Sequence, residues 1–352
     1  MSPVAVPSLR HSSPDELGLR RVRRGKGFSY HDVDGARVTD PVAIERIRGI
    51  VIPPAWTDVR ISADPDSHLQ AVGRDQRGRL QYRYHPHWTE FRDRLKFDHL
   101  AVFANGLPAV RKQVETDLAR PGVPRDKVLA TVVELLQTTL IRVGNDEYAR
   151  ENGAYGLTTF TNRHAHVSGS DIAFVFTGKS GITHEVHAHD RRVAKVLRDC
   201  QEIPGQRLFQ YLDDDGVPTA LHSHDVNDYL RVAADADITA KDFRTWVATV
   251  ATASALGPLD PPTSEREERV VVKKVIECVA ADLGNTPAVC RTSYVHPRVL
   301  ESFSTGALQE TWATTPPRKA RLTLEERRTR GLLSARARRT RGSAEQSLPR
   351  AG

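Results

Sequence analysis

From Gly25 to Tyr84 the apolar positions fall in short runs: Phe28-Ser29-Tyr30, Ala36-Arg37-Val38, Val59-Arg60-Ile61, His68-Leu69-Gln70-Ala71-Val72 and Leu80-Gln81-Tyr82-Arg83-Tyr84. Asp34-Gly35, Pro53-Pro54 and Asp75-Gln76-Arg77-Gly78 separate them with turn chemistry. The pattern predicts a small β-rich domain with one short helix over 42–50. Tyr82 and Tyr84 flank Arg83, so a strand puts both rings on one face. That face either packs a core or offers its rings to a nucleic acid.

Past a charged, helical stretch at 88–100 the period changes to 3.6. Val128, Leu129, Val132, Val133, Leu136 and Leu140 form one apolar stripe, and Val272, Val275, Ile276, Val279 and Leu283 form another. Between them Ile172/Phe174/Phe176 and Ile182/His184/Val186 alternate around Thr177-Gly178-Lys179-Ser180-Gly181, which predicts a β-hairpin. Further helices are expected at 190–199, 224–234 and 240–255. The fold class is therefore α+β, with a small N-terminal β-rich domain and a larger, mainly helical C-terminal domain carrying one hairpin. The expected division is a polar arm at 1–20, the β-rich domain at 21–95, the helical domain at 96–317 and a basic tail at 318–352. The tail is expected to be solvated, with a helix laid on DNA as the alternative.

The chain has 352 residues, a formal charge of +7 and a pI near 9.4, which suits a polyanionic partner. Most of that charge is local: residues 318–341 hold ten Lys/Arg against two Glu, leaving the rest near neutral. Cys200, Cys278 and Cys290 are too irregularly spaced for a disulfide framework or a thiolate zinc site, and Cys278 and Cys290 read as small buried hydrophobes. No signal-peptide run and no membrane-length apolar stretch occurs, so a cytoplasmic protein with no membrane partner is expected.

Cleavage of a phosphodiester needs an in-line nucleophile, donors for the nonbridging oxygens and an acid for the departing oxygen. Tyr294 offers a phenol, an ordinary packing aromatic unless cations lower its pKa from about 10. Arg142, at the end of the 126–142 helix, offers a planar fork for phosphate; alone it reads as a surface arginine or as one salt-bridged to Asp146 or Glu147. Arg244 and Lys241 are three apart on a helix that Thr239 and Asp242 would cap, and so share a face. Lys179, at the hairpin tip, is a titratable ammonium able to protonate a leaving oxygen, or simply an exposed lysine. Asn285 reads as a helix-end turn residue or as an amide donor, and Tyr148 as packing on a helix end. The run His184-Glu185-Val186-His187-Ala188-His189 lacks His-Glu-x-x-His spacing, and on a strand His184 points opposite to His187 and His189.

Taken in order, Ile141-Arg142-Val143-Gly144 with Tyr148, Gly178-Lys179-Ser180-Gly181, Lys241-Asp242-Phe243-Arg244-Thr245, Gly284-Asn285-Thr286-Pro287 and Ser293-Tyr294 resemble the type IB DNA topoisomerases, in their compact poxvirus-like bacterial form. The resemblance spans about Tyr82 to His296. It implies two domains that clamp duplex DNA, and strand nicking, rotation and religation by a monomeric, nucleoid-associated enzyme that needs neither ATP nor metal. By position, Tyr294 resembles the nucleophile forming a 3′-phosphotyrosyl link. Arg142 and Arg244 resemble the transition-state arginines, Lys179 the general acid and Lys241 an accessory lysine. Tyr148, Tyr82 and Tyr84 resemble DNA-contact residues. Asn285 stands where poxvirus and nuclear enzymes have histidine, which keeps oxygen binding and removes proton shuttling. The alternative is a tyrosine recombinase, whose usual His-x-x-Arg would need histidine at Lys241.

Overall fold

The computed structural model describes residues 8–317 and 321–334. The chain divides into two compact units between Phe97 and Asp98. The first is built on a five-stranded antiparallel sheet of β1 (Leu19–Arg24), β2 (Gly27–His31), β3 (Thr57–Ile61), β4 (Leu69–Arg74) and β5 (Leu80–Tyr84), in the order β2-β1-β3-β4-β5. Helix α1 (Pro41–Gly49) lies between β2 and β3 in sequence; the Asp40 carboxylate caps it, accepting from the Val42 and Ala43 amides at 3.1 and 3.2 Å. Its Ile47 joins Leu19, Val59, Ile61 and Ala71 in a small core.

Two details differ from expectation. Strand β1, Leu-Arg-Arg-Val-Arg-Arg, has too few apolar residues to be read as a strand, yet it pairs with β2 and β3 and forms the inside of the sheet. Backbone pairing on both edges, not side-chain pattern, makes it a strand. The expected polar arm is therefore only partly free of the domain. Leu17 and Leu19 are buried, and buried Ser67 donates to the Ser12 hydroxyl at 2.9 Å; residues 1–7 lie outside the described residues. Residues 36–38 contribute only an isolated bridge, Arg37 to His31.

Helix α2 (Pro86–Leu118) carries the chain into the second unit. There α3 (Arg125–Thr139) is the central helix, with Val128, Leu129, Val132, Val133 and Leu136 all buried. After the short α4 (Asp146–Asn152) comes an antiparallel sheet of β6 (Ala165–Ser168), β7 (Asp171–Thr177) and β8 (Thr183–His189), in which β7 and β8 form the expected hairpin. Next are α5 (Arg191–Glu202), a small hairpin of β9 (Gln210–Leu212) and β10 (Pro218–Ala220), and α6 (Ser223–Ala234). Strands of three residues leave no periodic signal, which is why β9 and β10 were not foreseen. The remaining helices are α7 (Ala240–Leu256), α8 (Glu265–Asp282), α9 (Pro287–Ser293), α10 (Pro297–Ser304), α11 (Ala307–Thr314) and α12 (Leu324–Ser334). Cys290 is buried as expected, whereas Cys278 is exposed on α8.

Helix α12 corrects the reading of a solvated tail beginning at 318. Leu322 and Leu332 are buried. The Glu326 carboxylate, 7% exposed, accepts from Arg111 at 2.7 and 2.8 Å, from the Thr323 amide at 2.8 Å and from Trp246 Nε1 at 3.2 Å. A dense run of arginines hid a helix whose buried residues are Glu326, Arg327, Thr329 and Leu332. Residues 335–352 lie outside the described residues. Burial works to raise the Glu326 pKa, but Arg111 and the other donors outweigh it and hold it below the ordinary 4.5. A carboxyl lowered in the fold adds stability above its unfolded pKa and loses it as pH falls through the folded one. Glu326→Ala should thus lower the unfolding free energy by about 3 kcal/mol at neutral pH, and by less in acid, as measured by denaturant titration at both pH values.

Candidate active site

Arg244 is the most enclosed of the candidate residues, 8% exposed on the second turn of α7. The Asp242 carboxylate caps that helix start, accepting from the Thr239 amide at 2.8 Å and from its hydroxyl at 3.0 Å. The guanidinium donates to two backbone carbonyls, Leu140 O at short range and Leu283 O at 2.6 Å. These are the terminal carbonyls of α3 and α8: Leu140 is the C-cap of α3, held left-handed at φ 56°, and Leu283 the C-cap of α8. Helix C-termini carry partial negative charge, so a cation there is favourable even without a carboxylate.

Two residues beyond each carbonyl stands another candidate. Arg142 follows Leu140 in a segment fixed by backbone bonds, Leu157 N–H to Arg142 O at 2.9 Å and Thr158 N–H to Val143 O at 2.7 Å. Gly156 permits this approach, since a Cβ there would lie 2.5 Å from Arg142 O. Asn285 follows Leu283, and its Oδ1 accepts from Arg142 at 3.4 Å. That contact orients the amide, leaving Nδ2 buried with no hydrogen-bond partner among the described residues. Arg244 Nε is a second buried donor in the same state. Arg142 does not form the ion pair with Asp146 that its sequence allowed: Asp146 is taken by Arg207 and by His222 at 2.8 Å.

Tyr294 is the C-cap of α9, a helix started by Thr286 and Pro287. Thr249 of α7 donates to its carbonyl at 3.2 Å, fixing the backbone five residues along the helix from Arg244. The Arg244 guanidinium lies 5.5 Å from the centre of the half-buried phenol ring. Burial alone would raise the phenol pKa. The charges of Arg244 and Arg142 and hydrogen bonds from both reverse that and bring it below its usual value. Arg244 in turn is lowered by burial and by repulsion from Arg142, with Tyr294 opposing.

Lys179, exposed on the β7–β8 turn, lines a cleft with Arg142, Arg244, His184 and Gly284. Four of the expected catalytic residues, Arg142, Arg244, Asn285 and Tyr294, are thus in mutual contact through Arg142 and Arg244, and Lys179 shares their cleft. Lys241 is exposed and does not line it, so the shared helix face expected for Lys241 and Arg244 holds the arginine inward and the lysine outward. Tyr148 is 59% exposed on α4. In the first unit Tyr82 and Tyr84 are 42% and 37% exposed, stacked at 6.1 Å, and so lie outside the core.

Sequence reading missed the place of His184. It faces inward from β8, stacks on Phe176 and lies in the cleft, while His187 and His189 face out and pair with Glu185 at 3.2 Å and Asp171 at 2.7 Å. The strand alternation was visible; the neighbours of its inward face were not. Among the described residues no three His, Cys, Asp or Glu side chains group as metal ligands would. Nor is any described helix long and apolar enough to cross a membrane.

Residues 85–315 match the profile of the eukaryotic DNA topoisomerase I catalytic core, and residues 27–75 that of the bacterial DNA topoisomerase IB N-terminal domain. The chain belongs to the type IB DNA topoisomerase family. DNA topoisomerase 1B of Acanthamoeba polyphaga mimivirus is 30% identical over 293 residues, spanning 81% of this chain and 87% of that protein. DNA topoisomerase 1B of Vaccinia virus (strain Copenhagen) is 24% identical over 292 residues, spanning 79% and 87%. DNA topoisomerase 1 of Rabbit fibroma virus (strain Kasza) is 24% identical over 300 residues, spanning 78% and 89%.

The electrostatic arrangement makes one site-level expectation. Removing a cation that favours the phenolate must raise the phenol pKa, so Arg244→Ala should move the Tyr294 titration upward. The tyrosinate absorbance difference between each protein and its Tyr294→Phe counterpart isolates that titration; an unmoved curve would contradict the arrangement.

Proposed function

We propose that this protein is a compact, poxvirus-like bacterial type IB topoisomerase that relaxes supercoiled duplex DNA. The observation that carries the reading is the pair of donors buried without an acceptor among the described residues, Asn285 Nδ2 and Arg244 Nε, near a phenol held by two arginines. Buried donors are normally satisfied, and each unsatisfied one costs about 1–3 kcal/mol. A nonbridging phosphate oxygen would satisfy both. Such preorganised donors stabilise the charge that develops as phosphorus becomes five-coordinate.

In this reading the Tyr294 oxygen attacks the scissile phosphorus and its proton passes to solvent. The phosphorus–O5′ bond breaks, and O5′ takes a proton from the Lys179 ammonium. The products are a 3′-phosphotyrosyl link and a free 5′ hydroxyl, so the reverse attack reseals the strand. Bond energy is conserved in the link, so the cycle draws on neither ATP nor a metal. Rotation about the intact strand between the two steps releases supercoils. All five groups come from one polypeptide, which supports a monomer acting on one duplex. Stacked, exposed Tyr82 and Tyr84 would meet the DNA from the β-rich unit as the two units clamp it, with Tyr148 touching the backbone.

Tyr294→Phe should abolish plasmid relaxation and covalent DNA capture while duplex binding in a gel-shift assay survives. Loss of binding in step with activity would point to a structural tyrosine. Relaxation should also persist in excess chelator; its disappearance would mean an essential metal. Site-specific joining of two duplexes by the purified protein would instead favour the recombinase reading.

A further inference from the structure

His184 occupies a notch between the two loops that end in Lys179 and Asn285. It pairs in register with Phe176 across the β7–β8 hairpin, and the two rings stack with centroids 5.3 Å apart at 24°. On one side the imidazole lies against Gly178, the residue before Lys179; a Cβ there would fall 2.6 Å from His184 Cδ2 and 2.8 Å from Nε2. On the other side it lies against Gly284, the residue before Asn285, whose Cβ would fall 3.5 Å from His184 Cε1. Gly284 needs glycine for its positive φ of 62°. Gly178 does not: at φ −96° and ψ −166° any residue fits the backbone, so the imidazole alone excludes a side chain there.

We propose that His184 is a positioning residue, its ring wedged between Gly178 and Gly284 so that Lys179 and Asn285 are held to one distance from each other. This rests on the strand-transfer reading above, in which Lys179 serves the leaving O5′ and Asn285 a nonbridging oxygen of the same phosphate. Those two atoms are one bond from a common phosphorus, so the two loops must keep a fixed spacing. The hairpin turn is otherwise held by Gly178 N–H to Ile182 O at 2.8 Å, Gly181 N–H to Gly178 O at 3.1 Å and Tyr155 N–H to Thr177 O at 2.8 Å, none of which reaches the Asn285 loop. Burial, Arg142 and Arg244 all lower the His184 pKa, so the ring fills the notch as a neutral group and adds no third cation.

The test is single-turnover formation of the covalent adduct on a duplex whose scissile bridging atom is either the ordinary 5′ oxygen or sulfur. A thiolate leaves without a proton, so sulfur removes the need for Lys179. On the oxygen substrate, His184→Ala and Gly178→Ala should each slow the adduct on the order of 100-fold, the cost of misplacing a catalytic group by about 1 Å. On the sulfur substrate Gly178→Ala should approach the unaltered rate, as should Lys179→Ala, and His184→Ala should recover the part of its loss that comes through Lys179. Gly178→Ala keeps the imidazole and every polar group, so it carries the test if His184→Ala fails to fold. Equal slowing on both substrates, or no slowing on oxygen, would overturn the role for His184. Failure of sulfur to rescue Lys179→Ala would instead remove the general acid, and His184's role with it. No adduct from the unaltered protein on either substrate would sink the strand-transfer reading itself.

Discussion

The second unit is organised around one buried cation. Arg244 lies where the C-termini of α3 and α8 meet, and its two strong hydrogen bonds go to their last carbonyls, Leu140 O and Leu283 O. A planar, permanently charged fork can bridge two carbonyls in this way; a lysine could not hold both directions at once. Because Arg142 and Asn285 each follow a bonded carbonyl by two residues, this single side chain sets the positions of both. Through α7 it also sets Tyr294, whose carbonyl is held by Thr249. Apolar packing joins α7 to α3 in one core and to α8 in another, and Arg244 fixes where the helix ends lie.

That arrangement is costly in isolation. Arg142 and Arg244 repel, and Arg244 loses hydration without gaining a carboxylate. Helix C-termini, the Tyr294 phenol and the Asn285 oxygen offset part of this, and under the proposed function the rest is the cost of a site made ready for an anion. On the same proposal, Asn285 Nδ2 and Arg244 Nε stay buried without acceptors among the described residues. A site that had satisfied itself internally would have to reorganise before it could hold a phosphate, and reorganisation is what preorganised electrostatic catalysis avoids.

Legibility followed the physics of each element. Helices α3, α7 and α8 and the β7–β8 hairpin were readable because their periodicity records which face is buried. Strand β1 was not, since four of its six residues are arginines, one of them, Arg21, turned onto the carbonyls of Ile52, Pro53 and Trp56, and its pairing is a backbone property. Helix α12 was obscured by charge: its arginines suggested solvation, while Glu326 is bonded to Arg111 and Trp246, residues more than 75 positions away. The order of Arg142, Lys179, Arg244, Asn285 and Tyr294 was readable as a family pattern. His184 was readable only as an inward strand position.

The sequence alone determined the two kinds of region, the α+β class, and the inventory of chemical groups that mark a type IB topoisomerase. These are local properties, written in spacing and residue type. Tertiary structure decided what each group faces. It turned Arg142 away from Asp146 and onto Asn285, put Arg244 inward and Lys241 outward, and brought two arginines to bear on the Tyr294 phenol against the effect of its burial. It also set His184 between two glycines more than 100 residues apart in the chain. Charge interactions and steric exclusion depend on distances through space, and only the packed chain sets those.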